Sequence, residues 1–227
     1  MREKDDDEIL DLFEECQPEF CFKVAMLGNS KVGKSSLLKY ESKETFSEDY
    51  KKTDVFEYFC KNYRIKGITL RLQIWDYFDD ESYHNLYGTF LKNTLCVFIV
   101  FSLDDISSFK GVDQWMNEVL KIDTSENPIV FLVGNKTDKK DNIKISENEI
   151  KTYCKHNNID YIETSAKTGE NVHEMFKNAI RQLYKRFVEP IDNQSYTTNT
   201  TNDSYIDGSP IDYEYSSRCK KCICNIQ

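Results

Sequence analysis

The sequence predicts an α/β domain built on a mostly parallel sheet covered on both faces. Three observations carry this. From residue 94 onward, apolar strand patterns alternate with amphipathic helix patterns. Before that, an apolar stretch at residues 20–27 runs into Gly28, a glycine-bearing loop and a helix pattern. Between the two, residues 55–64 and 68–75 alternate apolar and polar around Lys66 and Gly67, which signals a hairpin.

The elements follow in order. Residues 20–27 (FCFKVAML) read as a buried strand, and residues 35–40 as the start of a helix. Residues 41–54 are polar and without period, so they read as a loop. In the hairpin, Ile68, Leu70, Leu72 and Ile74 point one way and Thr69, Arg71 and Gln73 the other. Residues 94–101 form an apolar strand. Residues 106–122 form a helix with Phe109, Trp115, Met116 and Val119 inside. A strand at 129–133 precedes a helix at 146–156, whose opening Ser146-Glu147-Asn148-Glu149 fits a capping box. A short strand at 161–163 leads to the last helix, 172–187, with Val172, Met175, Phe176, Ala179, Ile180 and Leu183 on its apolar face. Residues 188–217 contain no basic residue, are rich in Asn, Thr, Ser, Tyr and Asp, and read as disordered. Three parts result: an acidic extension at 1–19, a folded domain at 20–187 and a tail at 188–227.

The 227 residues are 39% hydrophobic and 30% charged, enough for one core with tails. The net charge is −9, but it is unevenly placed. Residues 1–20 hold nine acids against Arg2 and Lys4, and residues 187–227 hold six acids against three bases. The domain between them sums to about +1, so both ends read as solvated acid. An acidic chain is a poor general binder of nucleic acid, which needs clustered Lys and Arg. The longest apolar run, Leu95 to Phe101, is seven residues, too short for a membrane span. Asp5, Asp6, Asp7 and Glu8 stand where a secretory signal would be basic and then apolar, so the expected compartment is the cytosol. Five of the eight cysteines are scattered and three crowd the last nine residues, which is no disulfide framework.

Three motifs carry chemistry. Gly28, Asn29, Ser30, Lys31, Val32, Gly33, Lys34 and Ser35, followed by Ser36, match the phosphate-binding loop G-x-x-x-x-G-K-[ST] between a strand and a helix. There the backbone amides and the helix N-terminus meet phosphates, the Lys34 ammonium reaches the β and γ phosphates, and the Ser35 hydroxyl binds Mg²⁺. Asn135-Lys136-Thr137-Asp138 follows a strand. A carboxylate at Asp138 accepts from both N1–H and the 2-amino group of guanine. Adenine offers neither donor, so ATP would leave a buried acceptor unpaired. Thr164-Ser165-Ala166-Lys167 ends another strand and would bring the Ala166 amide to the guanine O6.

On these motifs, residues 20–187 resemble the Ras superfamily of small GTPases, and its Rab branch most closely. The Rab character rests on Leu72-Gln73-Ile74-Trp75-Asp76, on Asp105-Ile106-Ser107-Ser108-Phe109 with Trp115, and on the cysteine-rich end. The short stretch between Asp138 and Glu163 leaves no room for the extra helix of Rho proteins. The resemblance implies a phosphate-loop fold with a six-stranded sheet, one antiparallel edge strand and five helices. It implies GTP and GDP as ligands, with Mg²⁺. It assigns Thr53 to Mg²⁺ and the γ-phosphate, Asp76 to Mg²⁺ through water, and Phe46 to the face of the guanine. Phe46 equally reads as a loop aromatic filling the edge of the core.

The departures from the family concern the other end of the nucleotide. Where the family reads Asp-Thr-Ala-Gly-Gln-Glu, this chain reads Asp76-Tyr77-Phe78-Asp79-Asp80-Glu81. Asp79 brings a carboxylate near the γ-phosphate in place of the family glycine. Asp80 replaces the glutamine that orients the attacking water, and an ionised carboxylate cannot donate a hydrogen bond. Lys31 replaces a residue that is normally small or neutral. The catalytic set would be Lys34, Thr53 and Asp80, with slow GTP hydrolysis and a bias towards GDP. The alternative is that Asp79 and Asp80 face solvent and only alter switching. A competing class is a hydrolysis-deficient module whose fixed nucleotide state presents an effector surface. An ATP-using phosphate-loop kinase is disfavoured by Asn135–Asp138.

Cys224-Asn225-Ile226-Gln227 fits the C-a-a-X prenylation pattern, and Cys222-Ile223-Cys224 resembles the Rab double-prenyl Cys-X-Cys. One lipid anchors weakly, so Cys222 or Cys219 would carry a second, or Arg218, Lys220 and Lys221 would assist. The reading is thus a monomeric Rab-like switch for vesicle and membrane traffic. Its partners would be effector, exchange-factor and escort proteins, on the cytoplasmic face of an intracellular membrane.

Overall fold

In the computed structural model of the protein, the described residues are 8–12, 17–42, 56–77, 79, 86–122 and 127–191. Their strands are β1 (Leu10–Leu12), β2 (Phe20–Leu27), β3 (Phe56–Ile65), β4 (Ile68–Tyr77), β5 (Cys96–Ser102), β6 (Ile129–Asn135) and β7 (Asp160–Thr164). Their helices are α1 (Lys34–Glu41), α2 (Tyr87–Phe90), α3 (Ile106–Lys110), α4 (Val112–Leu120), α5 (Glu147–Asn157) and α6 (Val172–Leu183), the last continued by a π-helical turn at Tyr184–Val188. The strands form one sheet in the order β1-β3-β4-β2-β5-β6-β7. Neighbours from β4 through β7 are parallel, and β3 runs against β4.

The two faces of the sheet bury separate cores. Phe22, Val24 and Met26 of β2 join Leu37 of α1 and Phe176 and Ile180 of α6 on one side. Ala25 and Leu27 join Trp115 of α4 and Ile150 of α5 on the other. All seven residues of β5 are buried, because helices cover it from both sides. The hairpin turns at Lys66 and Gly67, both at positive φ. The capping box at Ser146 forms in full, with Glu149 returning to the Ser146 amide. The helix expected over 106–122 breaks into α3 and α4 at Gly111.

The sheet has seven strands where the resemblance implies six. The extra strand is β1, inside the extension expected to be solvated acid. Leu10 and Leu12 pair antiparallel with Arg64 and Asn62 of β3. Ile9 is buried in the core, and Asp11 meets Lys61 at 2.9 Å. An open sheet edge offers unpaired amides and carbonyls, and a short apolar stretch with one matched charge is enough to occupy it. The antiparallel strand β3 is therefore covered on its outer edge at these positions.

Among the described residues, no helix is long and apolar enough to cross a membrane. Phe46, Thr53, Asp80 and the tail cysteines, Cys222 and Cys224 included, lie outside the described residues.

Candidate functional site

Every described candidate residue lies at the C-terminal ends of the parallel strands. The loop Gly28–Gly33 follows β2, Asp76 and Asp79 close β4, Asn135–Asp138 follow β6 and Ser165–Lys167 follow β7. The sheet order turns at β2, which has β4 on one side and β5 on the other, and this is where an α/β sheet opens a crevice.

The phosphate loop is held by contacts its sequence does not display. Lys34 is buried, and its ammonium donates to the Gly28 carbonyl at 2.6 Å and the Asn29 carbonyl at 3.1 Å. Burial lowers the Lys34 pKa, while Asp76 and Asp79 oppose that shift. Gly33 precedes α1 at φ 101°, and a Cβ there would lie 2.3 Å from the Asn135 amide nitrogen. The glycine thus lets the two loops touch, and Asn135 Nδ2 donates to the Val32 carbonyl at 2.8 Å. On the far side, the Trp115 indole N–H donates to Asn29 Oδ1 at 2.8 Å. Lys31 is exposed with φ 66°. Ser36 sits half-buried in the first turn of α1.

The Ser35 hydroxyl donates to Asp76 Oδ2. The other oxygen, Asp76 Oδ1, is buried and has no partner among the described residues. Burial pushes the Asp76 pKa up to about 6, and Glu57 adds to it, against the pull of Lys34, Ser35 and Lys39. A buried carboxylate oxygen without a partner among the described residues, next to the Ser35 hydroxyl, fits a hard divalent cation such as Mg²⁺.

Asp79 does not face away from the site. Its Oδ2 accepts from the Ser30 backbone N–H at 3.0 Å, so an anion supplied by the chain holds an amide of the phosphate loop. Tyr77, where the family has threonine, is the last residue of β4, is buried, and donates to the Phe90 carbonyl at 2.7 Å.

The other end of the crevice is a closed network. Asn135 Oδ1 accepts from the Ala166 amide at 3.1 Å and from the Thr164 hydroxyl at 3.3 Å. The Ala166 amide, expected at the guanine O6, therefore meets Asn135 in this structure. The Ser165 hydroxyl donates to Asp138 Oδ1 at 2.6 Å, fixing that carboxylate. Lys136, at φ 73°, lies 3.6 Å from Asp104, and Lys139 lies 2.6 Å from it. Burial lowers the Lys136 pKa, and Asp104 opposes that shift. Burial works against the charge of Asp104, but hydrogen bonds from Lys139 and Ser102 and the charge of Lys136 outweigh it and bring its pKa to about 2.

Residues 23–185 match the Ras family. The chain belongs to this family. It is similar to the GTP-binding protein YPT1 of Saccharomyces cerevisiae, with 33% identity over 165 residues, covering 73% of this chain and 80% of that protein. It is also similar to the Ras-related protein rab-11.1 of Caenorhabditis elegans, with 30% identity over 167 residues, 74% of this chain and 79% of that one. The Ras-related protein Rab-1D of Dictyostelium discoideum is 32% identical over 171 residues, 75% of this chain and 83% of that one. The chain is a Rab-like member of the Ras superfamily.

Two features of this Rab-like site escape the sequence motifs. The Asn29–Trp115 bond joins residues 86 positions apart, and the Ser30–Asp79 bond joins residues 49 apart. Both partners of the first are visible as motif members, but nothing local pairs them.

Proposed function

We propose that the protein is a guanine-nucleotide-binding switch of intracellular vesicle and membrane traffic that hydrolyses GTP slowly and favours GDP. The single observation that carries this is the Asp79 carboxylate on the Ser30 amide. A γ-phosphate entering the loop must displace that carboxylate or share its space, and like charges at short range repel. GDP ends before this point and meets less of the penalty.

In this reading Asp138, held by Ser165, accepts from the guanine, and Lys34 balances phosphate charge. Ser35 and Asp76 would hold Mg²⁺ together with Thr53, and the cation would neutralise charge on the phosphates when bound. Asp80 would stand where a water-orienting group is needed and would assist poorly. Prenylation at Cys224 and Cys222 would attach the protein to the cytoplasmic face of an intracellular membrane, where it would meet effectors, exchange factors and escort proteins.

A second reading, a module that holds one nucleotide state and presents a binding surface, is favoured by the aromatic side chains on β3. Phe56 and Tyr58 are 43% and 49% exposed and pack on Trp75 at ring distances of 5.0 and 4.8 Å. Single-turnover GTP hydrolysis by the purified chain and its Asp80→Gln variant separates the readings. Slow turnover that Asp80→Gln speeds up supports the switch, and no turnover in either supports the module. Wild-type turnover at the rate of an ordinary member of the family contradicts both.

A further inference from the structure

Outside the crevice, the described residues hold one other dense cluster of charged groups, centred on Glu41, the last residue of α1. Its side chain is 1% exposed. Oε1 accepts from Tyr63 at 2.8 Å and from Lys61 at 2.5 Å, both on β3, and Oε2 meets His173 Nδ1 of α6 at 2.6 Å. Lys61 also donates to the Glu41 carbonyl at 3.3 Å and to Asp11 of β1 at 2.9 Å. The Lys61 ammonium lies between the two carboxylates, 2.5 Å from Glu41 and 2.9 Å from Asp11. Removing one partner from such a buried pair leaves the other charge uncompensated.

This cluster reaches the crevice through α1. The N-terminus of the helix carries Lys34 and Ser35, and its C-terminus carries Tyr40 and Glu41, only two turns away. Tyr40 lies against the loop that follows Ser165–Lys167: a Cβ on Gly169 would sit 1.8 Å from the Tyr40 hydroxyl. The Gly169 amide in turn donates to the Ser165 carbonyl at 2.8 Å. One short helix therefore touches the phosphate loop at one end and the guanine-side loop at the other, where Lys61 of β3 links it to the N-terminal strand.

We propose that the N-terminal segment is a built-in regulator of nucleotide retention. Docked on β3, it holds Lys61 and Glu41 in place and so fixes both ends of α1. Undocked, it leaves Lys61 with one carboxylate fewer and the β3 edge open, and α1 loosens. This rests on the nucleotide-binding reading above. The docking is shallow, three paired residues with one buried isoleucine, so a competing strand or a modification near residue 11 can reverse it.

The test is the release rate of fluorescent GDP from the full chain, from a chain lacking residues 1–12, and from Ile9→Asp, which puts a charge into the core contact without touching Glu41. The expected result is release about fivefold faster or more in both variants. Hydrogen exchange at the Asn62 and Arg64 amides reports whether the strand has left the edge. Unchanged release from the truncated chain, which has no strand to dock, overturns the proposal, and faster release from Ile9→Asp shows that the effect is not a folding failure of the truncation. A full chain that holds no guanine nucleotide overturns the functional reading itself, and the proposal with it.

Discussion

The two ends of the crevice are built differently. At the guanine end, Asn135 accepts from Thr164 and Ala166, and Asp138 accepts from Ser165, in mostly neutral hydrogen bonds of 2.6 to 3.3 Å. At the phosphate end, two acids face the loop: Asp76, buried with one oxygen lacking a partner among the described residues, and Asp79, seated on the Ser30 amide. On the proposed reading, the first arrangement receives the base, and the second holds charge ready for a cation and against an extra phosphate. Base recognition and phosphate chemistry would then be separable within one site, the first kept in this chain and the second altered.

The largest expected effect breaks the guanine end. Asp138→Ala removes the acceptor for two guanine donors and should weaken GDP binding about a hundredfold or more, measured by calorimetry. Weak ATP binding, if any is measurable, should not change. A loss shared equally by both nucleotides would mean that Asp138 serves the fold and not the base.

At the phosphate end, chelating Mg²⁺ should speed nucleotide release about tenfold. In Asp76→Ala that acceleration should disappear, because the buried oxygen that draws the cation is gone. A smaller effect is expected from Trp115→Phe, which keeps one aromatic ring in the core but loses the indole N–H together with part of the buried ring. The Asn29 amide oxygen is then left unsatisfied, which costs about 1 kcal/mol of stability in a denaturant titration. GDP affinity should fall with it, since the same contact positions the phosphate loop.

The smallest effect is one of pH at the guanine end. The Asp104 pKa lies below its ordinary value, so its contribution to stability is complete above 3.8 and is lost as pH falls towards about 2. Carboxyl chemical shifts should show Asp104 titrating near 2, and Lys139→Met should bring that midpoint up. An unmoved midpoint would remove the ion pair from the account.

What the sequence displayed was contiguous. The phosphate loop, the Lys66-Gly67 turn and the Ser146–Glu149 capping box each place their residues within eight positions, where local rules act directly. What it hid was long-range. Strand β1 is three residues in an acidic stretch, and its partners lie 50 to 54 positions away on β3. Its stability comes from the edge it covers, which no local pattern encodes. The short helix α2 is one turn, below the length at which period is readable. Asp79 is visible as an anomaly, but its seat on the Ser30 amide joins residues 49 positions apart, beyond the reach of any local pattern.

The measurement that bears most directly on the central claim is the ratio of GTP to GDP affinity in the parent chain and in Asp79→Gly. The parent is expected to prefer GDP. Asp79→Gly should raise GTP affinity about tenfold while leaving GDP nearly unchanged, because the Ser30 amide is returned to the γ-phosphate. Equal affinities in the parent, or a substitution that moves both nucleotides together, would contradict the claim.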